Sequence, residues 1–198
     1  MGDRKEKEYM DKIFFTSDLH FCHDREFLFK PRGFDNIEDM NKAIIERWNA
    51  VVGKDDLVYV LGDLILGGAS GTVKGAELLK QLNGRLRIVL GNHDSVKRQE
   101  LYSSMENVES VLWADLIKYD GYHFYLSHFP TMTGNLEKES IKQVTINLFG
   151  HTHSKELFYE DIPYMYNVAL DAHDCTPVEI HDIIRDITAK YNECRDQL

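Results

Sequence analysis

The chain has 198 residues, of which 43% are hydrophobic and 28% are charged. This composition is typical of a globular protein that can bury a core without disulfides, and it argues against disorder. With 23 Lys and Arg against 33 Asp and Glu, the net charge is −10, which argues against an extended binding surface for nucleic acid or for an anionic membrane.

The length predicts a single domain over residues 1–198, with the charged residues 1–11 as a flexible end. Three features favour the cytoplasm. The first residues contain no apolar signal segment, no apolar run approaches the roughly 20 residues of a membrane span, and the three cysteines lack metal-type spacing. The oligomeric state stays open.

Strand and helix patterns alternate in the first half of the chain. Short buried strands are predicted at Ile13–Thr16, Leu57–Leu61 and residues 86–90. Between the first two strands, apolar residues recur at helical spacing over Ile37–Val51, with Asn36 as the N-cap. A loop with three glycines and a helix over residues 76–82 are predicted between the second and third strands.

The second half is predicted to be mostly strand. Strands at 112–118 and 122–127 flank a hairpin turn, and further strands are predicted at 144–149, 157–160 and 164–170. Thr176-Pro177-Val178-Glu179 predicts the start of a final helix, whose apolar stripe runs from Ile180 to Tyr191. The predicted fold class is α/β (α+β), a two-sheet β-sandwich flanked by helices.

Five predicted strands are each followed at once by a loop that carries Asp, Asn or His. These loops contain Asp18-x-His20, Asp63, Asn92-His93-Asp94, His128 and His151-x-His153. Ligands of α/β sheets bind outside the carboxyl ends of the strands, so the five loops are expected to converge. Imidazole and carboxylate donors without cysteine suit Mn, Fe, Zn, Ni or Co. The donors exceed the need of one tetrahedral ion, which favours two ions.

The ordered series SDLH, GD, GNHD, SH and GHTH resembles the calcineurin-like metallophosphoesterase superfamily, in particular its small bacterial and archaeal phosphodiesterases. A string such as GNHD arises by chance in roughly one chain of this length per thousand, and five motifs in order are far more specific. The resemblance implies two divalent transition-metal ions, with Mn favoured over Fe, Ni, Zn or Co. It also implies hydrolysis of a small phosphate ester, with a phosphodiester favoured over a monoester.

The resemblance also implies a role for each residue. The first metal would be held by Asp18, His20 and His153. The second would be held by Asn92, His128 and His151. Asp63 would bridge both ions, and a metal-bridging hydroxide would attack phosphorus in line. His93 would protonate the leaving oxygen, and Asp94 would orient His93 through its other ring nitrogen.

Alternatives remain at two levels. One alternative is a non-catalytic interaction scaffold of the same fold, but such a protein should have lost ligands or His93. The other is a metal-dependent nuclease, which the net charge of −10 disfavours. Neither an extended nucleic acid nor a membrane is expected as a partner. Asp94 can instead cap the next helix, and His23, His173 and Arg32 can contact the substrate or serve structural roles.

Overall fold

A computed structural model describes residues 12–134 and 138–196, and residues 1–11, expected to be a flexible end, lie outside this part. Its first half alternates strand and helix in the order β1 (Ile13–Thr16), α1 (Glu26–Phe29), α2 (Ile37–Val51), β2 (Leu57–Leu61), α3 (Gly68–Leu79), β3 (Arg85–Val89), α4 (Val96–Ser103) and β4 (Val108–Leu112). Its second half contains β5 (Asp115–Tyr119), β6 (Tyr122–Leu126), β7 (Thr145–Phe149), β8 (Met165–Asn167), β9 (Val178–Glu179) and α5 (Ile180–Asp196).

The strands form two sheets. The first has the order β4-β3-β2-β1-β9, in which the first four strands are parallel and β9 runs antiparallel to β1. The second has the order β5-β6-β7-β8, with an antiparallel hairpin followed by parallel pairs. This arrangement confirms the predicted class of two sheets flanked by helices.

The alternation of side chains along β1 divides the interior into two cores. Phe14 belongs to the core that contains Trp48 of α2, whereas its neighbour Phe15 belongs to the core that contains Phe124 of the second sheet. All four of these side chains are buried. Because β1, β2 and β3 are parallel, the loops that follow them leave the sheet at one edge.

Helix α3 begins earlier than predicted, at Gly68, and so includes glycines that were expected to form a loop. Glycine lowers intrinsic helix stability by about 1 kcal/mol relative to alanine, so local propensity opposes this helix. Close packing explains the difference, because a Cβ on Gly75 would lie only 2.5 Å from Cγ2 of Ile65. The glycines allow α3 to pack directly on the segment that follows β2.

The start of the last helix was predicted wrongly. Val178 and Glu179 form a short strand paired with Phe15 and Phe14, and the helix begins at Ile180. Pairing at the sheet edge therefore overrides the local capping pattern.

The strand predicted at 157–160 is also wrong, since this segment leads into a 3-10 turn at Tyr159–Asp161. Helix α4 and strand β4 were not predicted. Within the described residues, none of the helices is long and apolar enough to span a membrane.

Candidate metal centre

The five predicted loops meet at the carboxyl edge of the strands. The backbone amides of Asp18 and His20 donate to the carbonyls of Gly62 and Asp63, each at 3.0 Å, which ties the first loop to the second. The side chain of His128 reaches the second loop, where its Nδ1 donates to the carbonyl of Leu61 at 2.8 Å. Residues that are far apart in sequence thus surround one site.

The loop backbones adopt an uncommon conformation at the predicted ligands. Positive φ angles, between 49° and 69°, occur at Asp18, His20, Asp63, His151 and His153. This left-handed region is disfavoured for L-residues, although Asp and His tolerate it better than most. Such strain costs on the order of 1–3 kcal/mol per residue and clusters at functional sites, where the surrounding structure enforces it.

Two glycines of the sequence motifs are required by close approach. A Cβ on Gly91 would overlap Oδ1 of Asp63, and a Cβ on Gly150 would overlap Ser17 Oγ and Asp18 Oδ2. Glycine permits this contact between backbone and carboxylate because it has no side chain. The glycines of GNHD and GHTH therefore hold the loops against the two buried aspartates.

The first donor cluster consists of Asp18, His20 and His153. Oδ1 of Asp18 lies 3.5 Å from Nε2 of His20 and 3.8 Å from Nε2 of His153. Asp18 and His20 are buried, yet Asp18 Oδ1 and both ring nitrogens of His20 have no hydrogen-bond partner among the described protein atoms. Buried polar atoms are normally paired, so these three orphaned atoms fit a bound cation.

The second donor cluster consists of Asp18, Asp63 and His128, and Asn92 and His151 border it. The carbonyl of Leu61 can only accept, so Nδ1 of His128 donates to it and Nε2 faces the site. That Nε2 lies 2.9 Å from Oδ1 of Asn92, 3.2 Å from Nδ1 of His151 and 3.5 Å from Oδ2 of Asp63. This convergence of imidazole, amide and carboxylate atoms on one point also fits a cation.

The electrostatics of the site favour the protonation states that metal ligands need. Burial would raise the pKa of Asp18, but the charge interactions of its carboxylate with His20, His128 and His153 outweigh burial and lower the pKa to about 2. Burial lowers the pKa of His20, and it also lowers that of His151 with a contribution from His128. Asp18 is thus ionised and the rings of His20 and His151 are neutral at pH 7. Burial would also lower the pKa of His153, but its hydrogen bond with Asp171 and the charge of Asp18 raise it.

Asp171 is a site residue that the sequence analysis missed. Nδ1 of His153 donates to Oδ2 of Asp171 at 3.0 Å, which leaves Nε2 of His153 directed toward Asp18. Carboxylates that hold the second nitrogen of a ligating histidine fix its tautomer and orientation. Asp171 lies in the segment Asp171-Ala172-His173-Asp174 after the last predicted strand. In this segment, His173 was the residue expected to contact the substrate or to serve a structural role. Nε2 of His173 instead lies 2.8 Å from the carbonyl of Asn167.

Arg32 is neither a phosphate ligand nor a solvated charge. Its side chain is only 1% exposed, and its Nε and Nη2 donate to the two carboxylate oxygens of Asp171 at 2.9 and 2.6 Å. Nη2 also donates to the carbonyl of Asp18 at 2.8 Å. Burial opposes ionisation of Asp171, yet His153 and Arg32 hold its pKa well below the usual range. Arg32 therefore positions Asp171 and, through it, His153.

His93 lies at the rim of the site. Its side chain is 45% exposed, its Nε2 lies 4.0 Å from Oδ2 of Asp63, and its backbone amide donates to Oδ1 of the same residue at 2.9 Å. The ring of His23 lies 5.4 Å from that of His20 on the same side of the site. Burial, with a smaller contribution from His20, lowers the pKa of His23 to about 4, so this ring is neutral at pH 7.

Asp94 makes contacts that differ from the expected ones. Its Oδ2 accepts from the backbone amides of Asp63 and Gly91 at 2.8 and 2.9 Å, and its Oδ1 accepts from the hydroxyl of Tyr102 at 2.9 Å. No hydrogen bond or ion pair joins Asp94 to the His93 ring, because both carboxylate oxygens already have partners. Asp94 does not cap α4 either, since Ser95 occupies the N-cap position. It joins the second and third loops.

Comparisons with known proteins agree with this geometry. A family model described as calcineurin-like phosphoesterase matches residues 11–181. An uncharacterised protein of Methanocaldococcus jannaschii is 34% identical over 89% of this chain and 91% of its own length. The Gene 66 protein of Mycobacterium phage D29 is 30% identical over 90% of this chain and 98% of its own length.

A solved structure shares the fold. It is the crystal structure of a protein of unknown function from Aquifex aeolicus, with a TM-score of 0.65 and 21% identity over 89% of this chain and 99% of that one. The family model spans most of the chain, including every loop of the metal centre. The chain therefore belongs to the calcineurin-like phosphoesterase family, which makes it a metal-dependent hydrolase of ester bonds.

Proposed function

We propose that this protein is a dinuclear phosphodiesterase that hydrolyses small phosphodiesters. The observation that carries the proposal is the overlap of the two donor clusters, which share Asp18. Oδ2 of Asp63 lies 3.8 Å from Nε2 of His20 and 3.5 Å from Nε2 of His128, so it faces a histidine of each cluster. This supports the bridging role of Asp63 and two adjacent ions rather than one.

Each ion would be held by residues from both halves of the chain. Asp18, His20 and His153 would hold the first ion, Asn92, His128 and His151 the second, and Asp63 both. When bound, such a pair supplies a hydroxide nucleophile at neutral pH and neutralises charge on the phosphate. The mixture of imidazole, carboxylate and amide donors suits Mn, Fe, Ni, Zn or Co, and the family resemblance favours Mn among them.

His93 is the general acid of this proposal. It is the exposed histidine beside Asp63, and Asp63 fixes its backbone through a hydrogen bond of 2.9 Å. His93 would pass a proton to the leaving oxygen as the P–O bond of that arm breaks, while the hydroxide that bound metal would supply forms the new P–O bond. A diester would thus give a phosphomonoester and an alcohol. Asp94 acts as a positioning residue that holds the loop of His93 against Asp63.

Two further parts of the proposal concern the whole molecule. Phe14 and Phe15 of one strand belong to different cores, so neither core is independent, which supports a single domain. The three cysteines are unpaired in the structure, which supports a reducing compartment such as the cytoplasm.

The test compares hydrolysis of bis-p-nitrophenyl phosphate and p-nitrophenyl phosphate by metal-stripped protein supplied with Mn, Ni, Zn or Mg. We expect metal to restore cleavage of the diester above all. Because p-nitrophenolate leaves readily without a proton, the role of His93 is tested on methyl phenyl phosphate, which has a poorer leaving group. His93→Ala should lower its hydrolysis by about 10²- to 10⁴-fold without changing a stoichiometry of two ions per chain. The matched control is His181→Ala, because His181 lies on α5 and contacts Tyr119 instead of the site.

Each alternative has its own outcome in this test. Stoichiometric metal binding without hydrolysis of either ester would indicate a non-catalytic scaffold. Salt-dependent binding of DNA or RNA, together with cleavage of the strand, would indicate a nuclease. Retention of methyl phenyl phosphate hydrolysis by His93→Ala would contradict the proposed role of that residue.

A further inference from the structure

Two exposed aromatic side chains border the candidate metal centre. Phe27 is 72% exposed and Phe129 is 48% exposed. Single exposed apolar side chains are ordinary on soluble proteins and need no explanation. These two differ because each packs against a histidine of the site or of its immediate surroundings, as ligand-contacting aromatic residues do.

Phe129 borders the second donor cluster. Its ring lies edge-on to His151 and His128, with centroids 4.7 and 5.0 Å apart and interplanar angles of 65° and 74°. The hydroxyls of Ser127 and Thr131 donate to the carbonyl of Phe129 at 2.8 and 3.1 Å. The ring is therefore held in place while about half of its surface remains open to a ligand.

Phe27 borders the first donor cluster through His23. The two rings lie 5.6 Å apart at an angle of 82°, and the His23 ring lies 5.4 Å from His20. The His93 ring lies 5.7 Å from the same His20 ring, and it is close enough to His23 for the two rings to interact electrostatically. Because His93 is the proposed proton donor, the leaving arm of a substrate extends toward this side of the centre.

We propose that the substrate is a phosphodiester with a planar, aromatic substituent on each arm, and that Phe27 contacts the leaving arm while Phe129 contacts the retained arm. This inference rests on the proposed function and specifies its substrate class. A monoester has one organic arm and leaves one of the two rings unused. The two rings thus give the preference for a diester a structural basis at the site itself.

The test separates the two arms with a pair of substrates that share one leaving group. Phenyl p-nitrophenyl phosphate and methyl p-nitrophenyl phosphate differ only in the retained arm. Aromatic pairs contribute enough beyond simple burial to change affinity by about three- to tenfold. We expect Phe129→Ala to lower the phenyl-to-methyl ratio of kcat/KM by this factor, through the KM of the phenyl ester.

The companion variants make the result specific. Phe27→Ala should lower kcat/KM for both esters by a similar factor, because both release p-nitrophenol. Phe129→Tyr retains the ring and should retain the preference for phenyl. Val73→Ala, on an exposed apolar position of α3 that is 68% exposed, should change neither ester. Calorimetry on the metal-loaded protein should show that Phe129→Ala weakens the binding of diphenyl phosphate by a larger factor than the binding of dimethyl phosphate.

The outcomes distinguish this inference from the proposal beneath it. If the wild type hydrolyses both esters and Phe129→Ala keeps the same phenyl-to-methyl ratio, the inference is overturned and the proposed function stands. If the metal-loaded wild type hydrolyses no ester, the proposed function fails, and the inference fails with it.

Discussion

Substitution of Asp171 by alanine tests the connection from Arg32 through Asp171 to His153. The change removes two acceptors of the Arg32 guanidinium and the acceptor of His153 Nδ1 at the same time. The only described oxygen left to the guanidinium is then the carbonyl of Asp18, at 2.8 Å. We expect losses of both protein stability and metal affinity.

The expected magnitudes follow from burial. The Arg32 and Asp171 side chains are 1% and 6% exposed, so solvent screens the pair weakly. Removing one partner of a buried ion pair costs about 3–5 kcal/mol, because the other charge stays buried and unpaired. Loss of the carboxylate that orients a ligating histidine weakens metal binding by about 10- to 100-fold. Native stabilities of about 5–15 kcal/mol leave most of the variant folded.

The assays are urea unfolding of the metal-free protein and competition with a chromophoric chelator for Mn or Zn. The matched control is Asp174→Ala. Asp174 pairs with Arg47 at 2.9 Å, but its side chain is 88% exposed and that of Arg47 is 37% exposed. An exposed pair contributes at most about 1 kcal/mol, so this control should change stability little and metal affinity not at all.

A double variant separates the two effects. Arg32→Met combined with Asp171→Leu removes both charges and should recover most of the lost stability, because well-packed apolar residues can replace a buried pair. Metal affinity should stay low, since His153 still lacks its acceptor. If Asp171→Ala loses no more stability than Asp174→Ala and binds metal as the wild type does, the reasoning about this network is refuted.

Three other predictions concern the support of the metal centre. Gly150→Ala should lower the free energy of unfolding by about 1–3 kcal/mol and weaken metal binding, because the added Cβ would overlap Ser17 and Asp18. Calorimetry measures both effects, and the control is Gly53→Ala, whose Cβ meets only the flexible Asp56 side chain at 3.2 Å. Tyr102→Phe should lower the free energy of unfolding in urea by about 1–3 kcal/mol, because it removes a hydrogen-bond donor from buried Asp94. The control is Tyr119→Phe, which removes an exposed contact with His181, and an equal effect of the two substitutions would contradict the prediction. Removal of metal with a chelator should lower the melting temperature, and re-addition at 100 times the Kd should restore about 2.7 kcal/mol of stability per bound ion. A midpoint independent of metal concentration would argue against a preformed site.

The positions of the candidate ligands were accessible from sequence because each directly follows a short apolar strand. Parallel strands end at a common edge, so motifs that are far apart along the chain converge there. The same argument cannot find Asp171, which follows β8 within a 3-10 turn and contributes through a hydrogen bond to another residue. It cannot place Arg32 either, since its acceptor lies 139 positions away.

Local patterns failed where tertiary contacts decided the structure. The Thr176-Pro177-Val178-Glu179 pattern predicts a helix start, but backbone pairing of Val178 and Glu179 with β1 delays the helix to Ile180. The glycines of α3 predict a loop, but close packing on Ile65 makes them part of a helix. The contacts of Asp94 were missed for the same reason, because its partner Tyr102 lies on a helix that was not predicted.

The sequence separation within the first donor cluster has a consequence for biosynthesis. The backbone amide of His151 donates to Oδ2 of Asp18 at 2.8 Å across 133 positions, and His153 approaches the same carboxylate. A nascent chain that has emerged only as far as β6 would lack three of the seven proposed ligands, so it would not hold the complete site. Loop closure over such distances is slow, and the two segments must meet before the site exists. Metal loading would therefore be a late event, and bound metal would report that the chain has been made at least as far as His153 and has folded.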